Sequence, residues 1–236
     1  MVWSLWNRDA RAFRPIALAS VIVIVLQFVL GGKPYYSGAV YTFLFAAGSV
    51  PIGRWVAART SLAGRAWPVA VILLCAAIEL PISLPVLPAR ALHTVPLQKI
   101  NYDLAETISW PQQVALVGRL YRALPAPERA PTTILTGNYG EAGAIERYVP
   151  QSGMPTAYSG ANNFWLWGPP HAADTGAIAV NVDPGLLRRE FTHVRQVATF
   201  WNGLGVSDDE QGVPVYLPTG LKSSWARAWP AFCDYG

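Results

Sequence analysis

Two stretches hold the residue types and spacings most capable of chemistry. In the first, Thr136-Gly137-Asn138-Tyr139-Gly140-Glu141-Ala142-Gly143, a β-branched run meets a helix-length segment. The N–H groups of a helix start can hold an anion at such a junction. Its glycine spacing matches neither the dinucleotide fingerprint nor the phosphate loop, and no Lys-Ser or Lys-Thr pair follows. Glu141 in the first turn suits the helix dipole and would repel a phosphate, so Asn138 and Glu141 fit a hydroxyl-rich ligand or a docking surface better. The second stretch runs from Ser159 to Pro170 and interleaves Phe164, Trp165 and Trp167 with Asn162 and Asn163. Such rings and amides can stack on sugar faces and bond hydroxyls, and they serve equally well in a core or among lipid headgroups. None of His93, His171 and His193 has a Ser, Cys or paired acid at triad or ligand spacing, and neither Cys75 nor Cys233 has a second thiol or imidazole close by. These spacings support no hydrolase, metal site or disulfide framework, and no cofactor is expected.

The elements that must position these residues fall into two halves of different chemistry. The chain is 52% hydrophobic and 14% charged with mean hydropathy +0.26, whereas soluble domains carry about 25% charged residues. Residues 1–88 hold seven Lys/Arg against two acids, and residues 89–236 hold eleven against twelve. The net charge of +4 therefore comes from the apolar half, where it reads as membrane orientation and not as a nucleic-acid footprint. Three windows, about 15–32, 36–53 and 67–86, approach the roughly 20 apolar residues a membrane-spanning helix needs. Arg8, Arg11 and Arg14 precede the first, but two more spans follow and no small-residue cleavage site clears the apolar run, so it reads as an anchor.

Cations in the flanks and loops count three (Arg8, Arg11, Arg14), one (Lys33) and three (Arg54, Arg59, Arg65). Because Lys and Arg are retained on the cytoplasmic side, this alternation predicts an inside N-terminus and an outside location for everything after residue 90. Trp55 and Trp67 flank the second loop either as interfacial anchors or as ordinary lipid-facing rings. Glu79, with Pro81, Pro85 and Pro88 after it, fits the outer interface or a helix-paired position, against the default functional reading of an intramembrane acid.

From residue 89 to 236 short β-branched runs alternate with helix-length segments, which predicts an extracytoplasmic α/β domain with a largely parallel sheet. Helices are expected over Pro111 to Leu124, Glu141 to Tyr148, Pro184 to Glu190 and Leu221 to Trp229. Strands are expected over Thr132 to Thr136, Thr156 to Ser159, Ala177 to Val182, Thr192 to Thr199 and Val213 to Leu217.

The run Ile134 to Ile145, then Ser159-Gly160 with Asn163 and Trp165-Leu166-Trp167-Gly168-Pro169, resembles the C-terminal domain of bacterial family 39 glycosyltransferases. That family includes enzymes related to protein O-mannosyltransferases and to the aminoarabinose transferases acting on lipid A. Gly32-Lys33-Pro34-Tyr35-Tyr36, Leu84-Pro85-Val86-Leu87-Pro88 and Trp110-Pro111 are similar to the preceding region of the same family, so the resemblance covers nearly the whole chain. It implies a multi-pass protein of the inner (plasma) membrane that transfers a sugar from a polyprenyl-phosphate donor to an extracytoplasmic acceptor.

In the family an acidic residue in an early outer loop does the chemistry, but the outer loop Gly32 to Tyr36 holds no acid. The resemblance therefore implies the later part of such an enzyme, inactive alone and partnered by the missing N-terminal half. Tyr36 is followed by Ser37, without the family's usual proline, which bears on how the second helix starts. Lys33, beside Tyr35 and Tyr36, is placed to stabilise a leaving lipid phosphate or simply to snorkel. The alternative is a membrane-tethered binding or docking module without activity. Substrate-binding candidates are Lys33, Tyr35, Tyr36, Asn138, Glu141, Asn163, Trp165 and Trp167, and the implied partners are membrane lipid and the polyprenyl-phosphate-linked sugar.

Overall fold

The computed structural model describes residues 5–32, 34–84, 86, 88–94, 99, 101–106 and 108–235. The chain divides between Glu79 and Leu80 into two compact units.

The first unit carries α1 (Arg14–Val29), α2 (Gly38–Ala57) and most of α3 (Leu62–Ser83). By length and composition, the helical stretches Ala10–Val29 and Leu62–Ser83 could cross a membrane. Only 11% of the first apolar window and none of the second is buried against the described residues. The expected third span, 36–53, is a helix of 20 residues, but its Gly48, Ser49, Pro51, Gly53 and Arg54 lower its hydropathy. It has the length without the apolar composition of the other two.

The second unit begins inside the last turn of α3, not at residue 89. The Asn101 side chain donates to the Ile82 carbonyl at 3.0 Å, which ties that turn to the segment that follows. Then come α4 (Tyr102–Glu106), α5 (Trp110–Ala123) and α6 (Ala126–Arg129). Pro111 stands in the first turn of α5, where its missing N–H costs nothing, and the helix ends at Leu124 in extended geometry before Pro125.

The sheet is built from β1 (Thr132–Thr136), β2 (Ala157–Ser159), β3 (Gly176–Val180), β4 (Phe191–Thr199) and β5 (Pro214–Leu221), in the order β2-β1-β3-β5-β4. Between them lie α7 (Tyr139–Ser152), a 3-10 turn over Asn162–Trp167, and α8 (Pro184–Glu190), with α9 (Trp225–Ala228) after β5. The β1–β2 and β1–β3 pairs are parallel, whereas β3–β5 and β4–β5 are antiparallel. The sheet is thus mixed, which corrects the largely parallel expectation. Residues 200–213 contain no helix to make a crossover, and without one a following strand returns antiparallel. The helix expected over Leu221 to Trp229 is likewise shorter, because Leu221 still pairs with Phe191 in the sheet.

Alternation along the strands divides the core in two. Ile134, Ile178 and Val215 pack with Val114 and Val117 of α5 and Ala142 and Ile145 of α7. On the opposite face Leu135, Ala177 and Ala179 pack with Leu187, Phe191, Trp225, Trp229 and Phe232. The tryptophans of this second layer satisfy their polar ends. Trp225 Nε1 donates to the Asp174 carbonyl at 2.7 Å, while Trp165 and Trp229 each donate to the other's carbonyl.

Candidate functional site

The carboxyl ends of β1 and β2 are neighbours, with Thr136 opposite Ser159, so the two stretches singled out in the sequence emerge side by side at one edge. Gly137 is needed there because a Cβ on it would stand 2.0 Å from the Asn181 carbonyl oxygen. Asn181 itself, just past β3, holds a left-handed conformation (φ 55°) that asparagine tolerates.

Asn138 and Glu141 form a reciprocal cap on α7. Asn138 Oδ1 accepts from the Gly140 N–H at 2.6 Å, and Glu141 Oε2 accepts from the Asn138 N–H at 3.0 Å. This capping-box arrangement satisfies orphan donors of the helix start. Asn138 is therefore occupied in building the turn, and Glu141, completely buried, does not face solvent.

Glu141 has further partners: its carboxyl is hydrogen-bonded to that of Glu210, and the Asn181 side chain favours its charge. Two carboxyl groups can make such a bond only by sharing a proton. Burial is the first cause holding Glu141 well above the ordinary carboxylate range, with the Glu210 charge next. Burial also raises Glu210, against the hydrogen bonds from Glu141 and Gln113 that favour its charge.

Around this pair the loop 201–212 is folded across the carboxyl edge. It is closed at its base by Phe200 N–H to Val213 O (2.8 Å) and Gly212 N–H to Phe200 O (2.9 Å). Asp208, also buried, holds it to the start of α5. Its Oδ2 accepts from the Ser109 hydroxyl and from Asn202 Nδ2 (3.0 Å), and its Oδ1 from the Glu210 N–H (3.0 Å) and Gln211 Nε2 (2.9 Å). One turn further along α5, Gln113 Nε2 donates to Glu210. At the outer side the Tyr102 hydroxyl donates to Asp209, and the Asp209 N–H donates to Glu106 at 3.0 Å. Burial, followed by the nearby carboxylates of Asp209, Asp208 and Glu210, pushes Glu106 up to about 7, against the Asp209 N–H. The hydrogen bond to Asp209 and then burial raise Tyr102.

Asn163 and Trp167 are exposed at the same edge, and Trp167 packs against Phe164 with ring centroids 4.3 Å apart. Trp165 is turned inward against the second core layer. Tyr36 is exposed in the 3-10 turn Pro34–Ser37, which also contains Tyr35, while Lys33 lies outside the described residues. The candidates of the first unit and those of the second thus belong to separate compact bodies. The edge itself gathers Asn138, Glu141, Asn163 and Trp167.

Sequence reasoning missed Asp208, Glu210, Gln113, Ser109 and Asn202. A signal was available in Asp208-Asp209-Glu210, three consecutive acids in a segment flanked by strands. Among the described residues, no group of three or more His, Cys, Asp or Glu is arranged to hold a metal ion. No family model, curated protein or solved structure matches this chain.

Proposed function

We propose that this chain is the C-terminal part of an integral-membrane glycosyltransferase that uses a polyprenyl-phosphate-linked sugar. In this reading α1, α2 and α3 span the inner (plasma) membrane and the α/β unit lies outside the cytoplasm. The observation that carries the reading is convergence: the two stretches on which the family resemblance rests emerge from adjacent strands at one edge of the sheet. Such an edge is where open α/β sheets place their ligands. The unburied apolar helices support the membrane part. Lys33, Tyr35 and Tyr36 then meet the donor's phosphate, while Asn163 and Trp167 shape access for the acceptor. The alternative, a tethered docking module without activity, is favoured by Asn138 and Glu141 being spent on the cap.

Binding provides the direct test. The full chain in lipid nanodiscs is expected to bind polyprenyl phosphate, and Lys33→Ala to weaken it by about tenfold through loss of the charge facing the phosphate. Equal affinity in both chains removes Lys33 from the donor site, and absence of binding removes the reading.

The same chain alone is expected to transfer no sugar, because a missing acid/base group costs about 10²–10⁴ in rate before any loss of substrate groove. Turnover by the purified chain would assign the chemistry to Asp103, Glu106 or Glu141 instead. Topology is tested separately. A reporter active only outside the cytoplasm should be active when fused after Gly236 or inserted near Pro127, and silent near Ser61, as the loop cations require. The reverse pattern overturns the placement.

A further inference from the structure

We propose that the carboxyl edge beside β1 and β2 rests on the lipid surface, with Tyr139, Leu166 and Trp167 seated at headgroup level. This deepens the reading above and rests on Leu62–Ser83 crossing the membrane.

The first observation is exposure. Tyr139, Leu166 and Trp167 leave 52%, 64% and 75% of their surfaces open, whereas Trp165 of the same turn and Trp225 and Trp229 pack into the second core layer; Trp201, on the loop across the carboxyl edge, is also exposed. Tyr139 stands three residues beyond the end of β1. Leu166 and Trp167 end the turn that follows β2, the strand paired beside it. The three side chains are therefore carried by adjacent strand ends.

The second observation is a tether inside the same compact unit. The last turn of α3 accepts the Asn101 side chain at Ile82, and the next residue, Tyr102, bonds Asp209 in the loop that covers the carboxyl edge. Glu106 then accepts the Asp209 N–H, and Ser109 donates to Asp208. Consecutive Cα atoms are about 3.8 Å apart, so this ladder of bonds holds the end of an apolar helix next to that loop. Leu80, Leu84 and Val86, all exposed, continue the apolar surface along the same segment.

The third observation is charge. Neither 136–143 nor 159–170 contains a Lys or Arg, and the one acid, Glu141, is buried. These two stretches thus present rings together with the exposed amides of Asn162 and Asn163, while the exposed acid Asp209 lies on the loop 201–212 that covers the neighbouring part of the edge. Amphipathic rings among neutral polar groups are what the membrane–water interface selects, whereas a site for an anionic partner would carry cations. The occupant is a lipid headgroup layer.

Single-cysteine chains test this in bilayer nanodiscs containing headgroup-nitroxide lipid. Leu84→Cys, Leu166→Cys, Trp167→Cys and Glu128→Cys are placed in a full chain carrying Cys75→Ser and Cys233→Ser, and each is labelled with an environment-sensitive fluorophore. Glu128 is exposed just before β1, at the opposite edge of the sheet. Labels at 166 and 167 are expected to be quenched at least about twofold more than at 128, as side chains at interfacial depth would be. Quenching at 84 but not at 166 or 167 overturns the proposal while leaving the membrane reading intact. No quenching at 84 removes the membrane reading itself. Labels at 166 and 167 that are shielded from aqueous iodide yet unquenched by lipid show that protein covers the edge, and this too overturns the proposal.

Discussion

Replacing Gly160 by alanine is expected to destabilise the α/β unit by about 3–5 kcal/mol, near the upper end for a point substitution. The added methyl would stand 1.7 Å from the Phe232 carbonyl oxygen, and backbone cannot swing aside as a flexible side chain can. That close approach lets the C-terminal segment pair with the chain beyond β2. The Asp234 N–H donates to Gly160 O at 3.0 Å, and the Asn162 N–H donates to Asp234 O at 2.7 Å. Phe232, displaced, would leave Trp225 and Trp229, whose rings lie 5.9 and 6.0 Å from its own. Thermal unfolding of the full chain, followed by near-ultraviolet circular dichroism of the tryptophans, measures the loss. Gly143→Ala is the control: that glycine lies on an exposed helical position with nothing within 4 Å of a Cβ, and the change should gain up to about 1 kcal/mol. Equal stability of the two variants would show that the C-terminal segment is not held at Gly160.

The second large effect is a pH dependence set by the carboxyl pair. In the unfolded chain Glu141 and Glu210 titrate near the ordinary carboxylate value of about 4.3. In the folded chain burial and their mutual charge keep the shared proton bound to higher pH. Across that interval the native state holds more protons than the unfolded state, so stability falls as pH rises. Glu106, raised to about 7, adds a loss of the same sign up to that pH. Glu141→Gln keeps an N–H donor for Glu210 and removes one of the two carboxyls. Its melting temperature is expected to match the parent near pH 5 and to decline less by pH 8, with the residual slope belonging to Glu210 and Glu106. Parallel pH profiles for the two chains would mean that no proton is shared.

Local chemistry made some elements readable from sequence. The β-branched run Thr132 to Thr136 forms a strand with those limits, and Asp183 caps a helix beginning at Pro184, its side chain accepting the Leu186 N–H at 2.8 Å. Period-two alternation marks β5 as a strand but is the same for either direction. The antiparallel turn from β4 could be inferred only from the missing helix between them.

The candidate site was legible in its local half alone. Asn138 and Glu141 stand out by their place at a strand-to-helix junction, while Glu210 lies far along the chain and reaches Glu141 only through the tertiary fold. Trp165 and Trp167 carry equal sequence weight as aromatic neighbours. A 3-10 turn sends one inward and leaves the other exposed, a distinction composition does not hold.

The clasp between α5 and the acidic loop sets an order of events during synthesis. Ser109 and Gln113 find their acceptors 99 and 97 positions later, at Asp208 and Glu210. Closing so long a segment is entropically slow compared with forming local helices. While the ribosome is still adding β3, α5 can form and β1 can begin to pair, but the buried polar side of α5 has only water to bond. The chain just beyond β2 likewise waits for Asp234, which bridges Ala161. An emerging chain therefore carries an unfinished sheet edge until residues 208–234 have been made, and stalling or cleavage before them would leave that edge open to association with other chains.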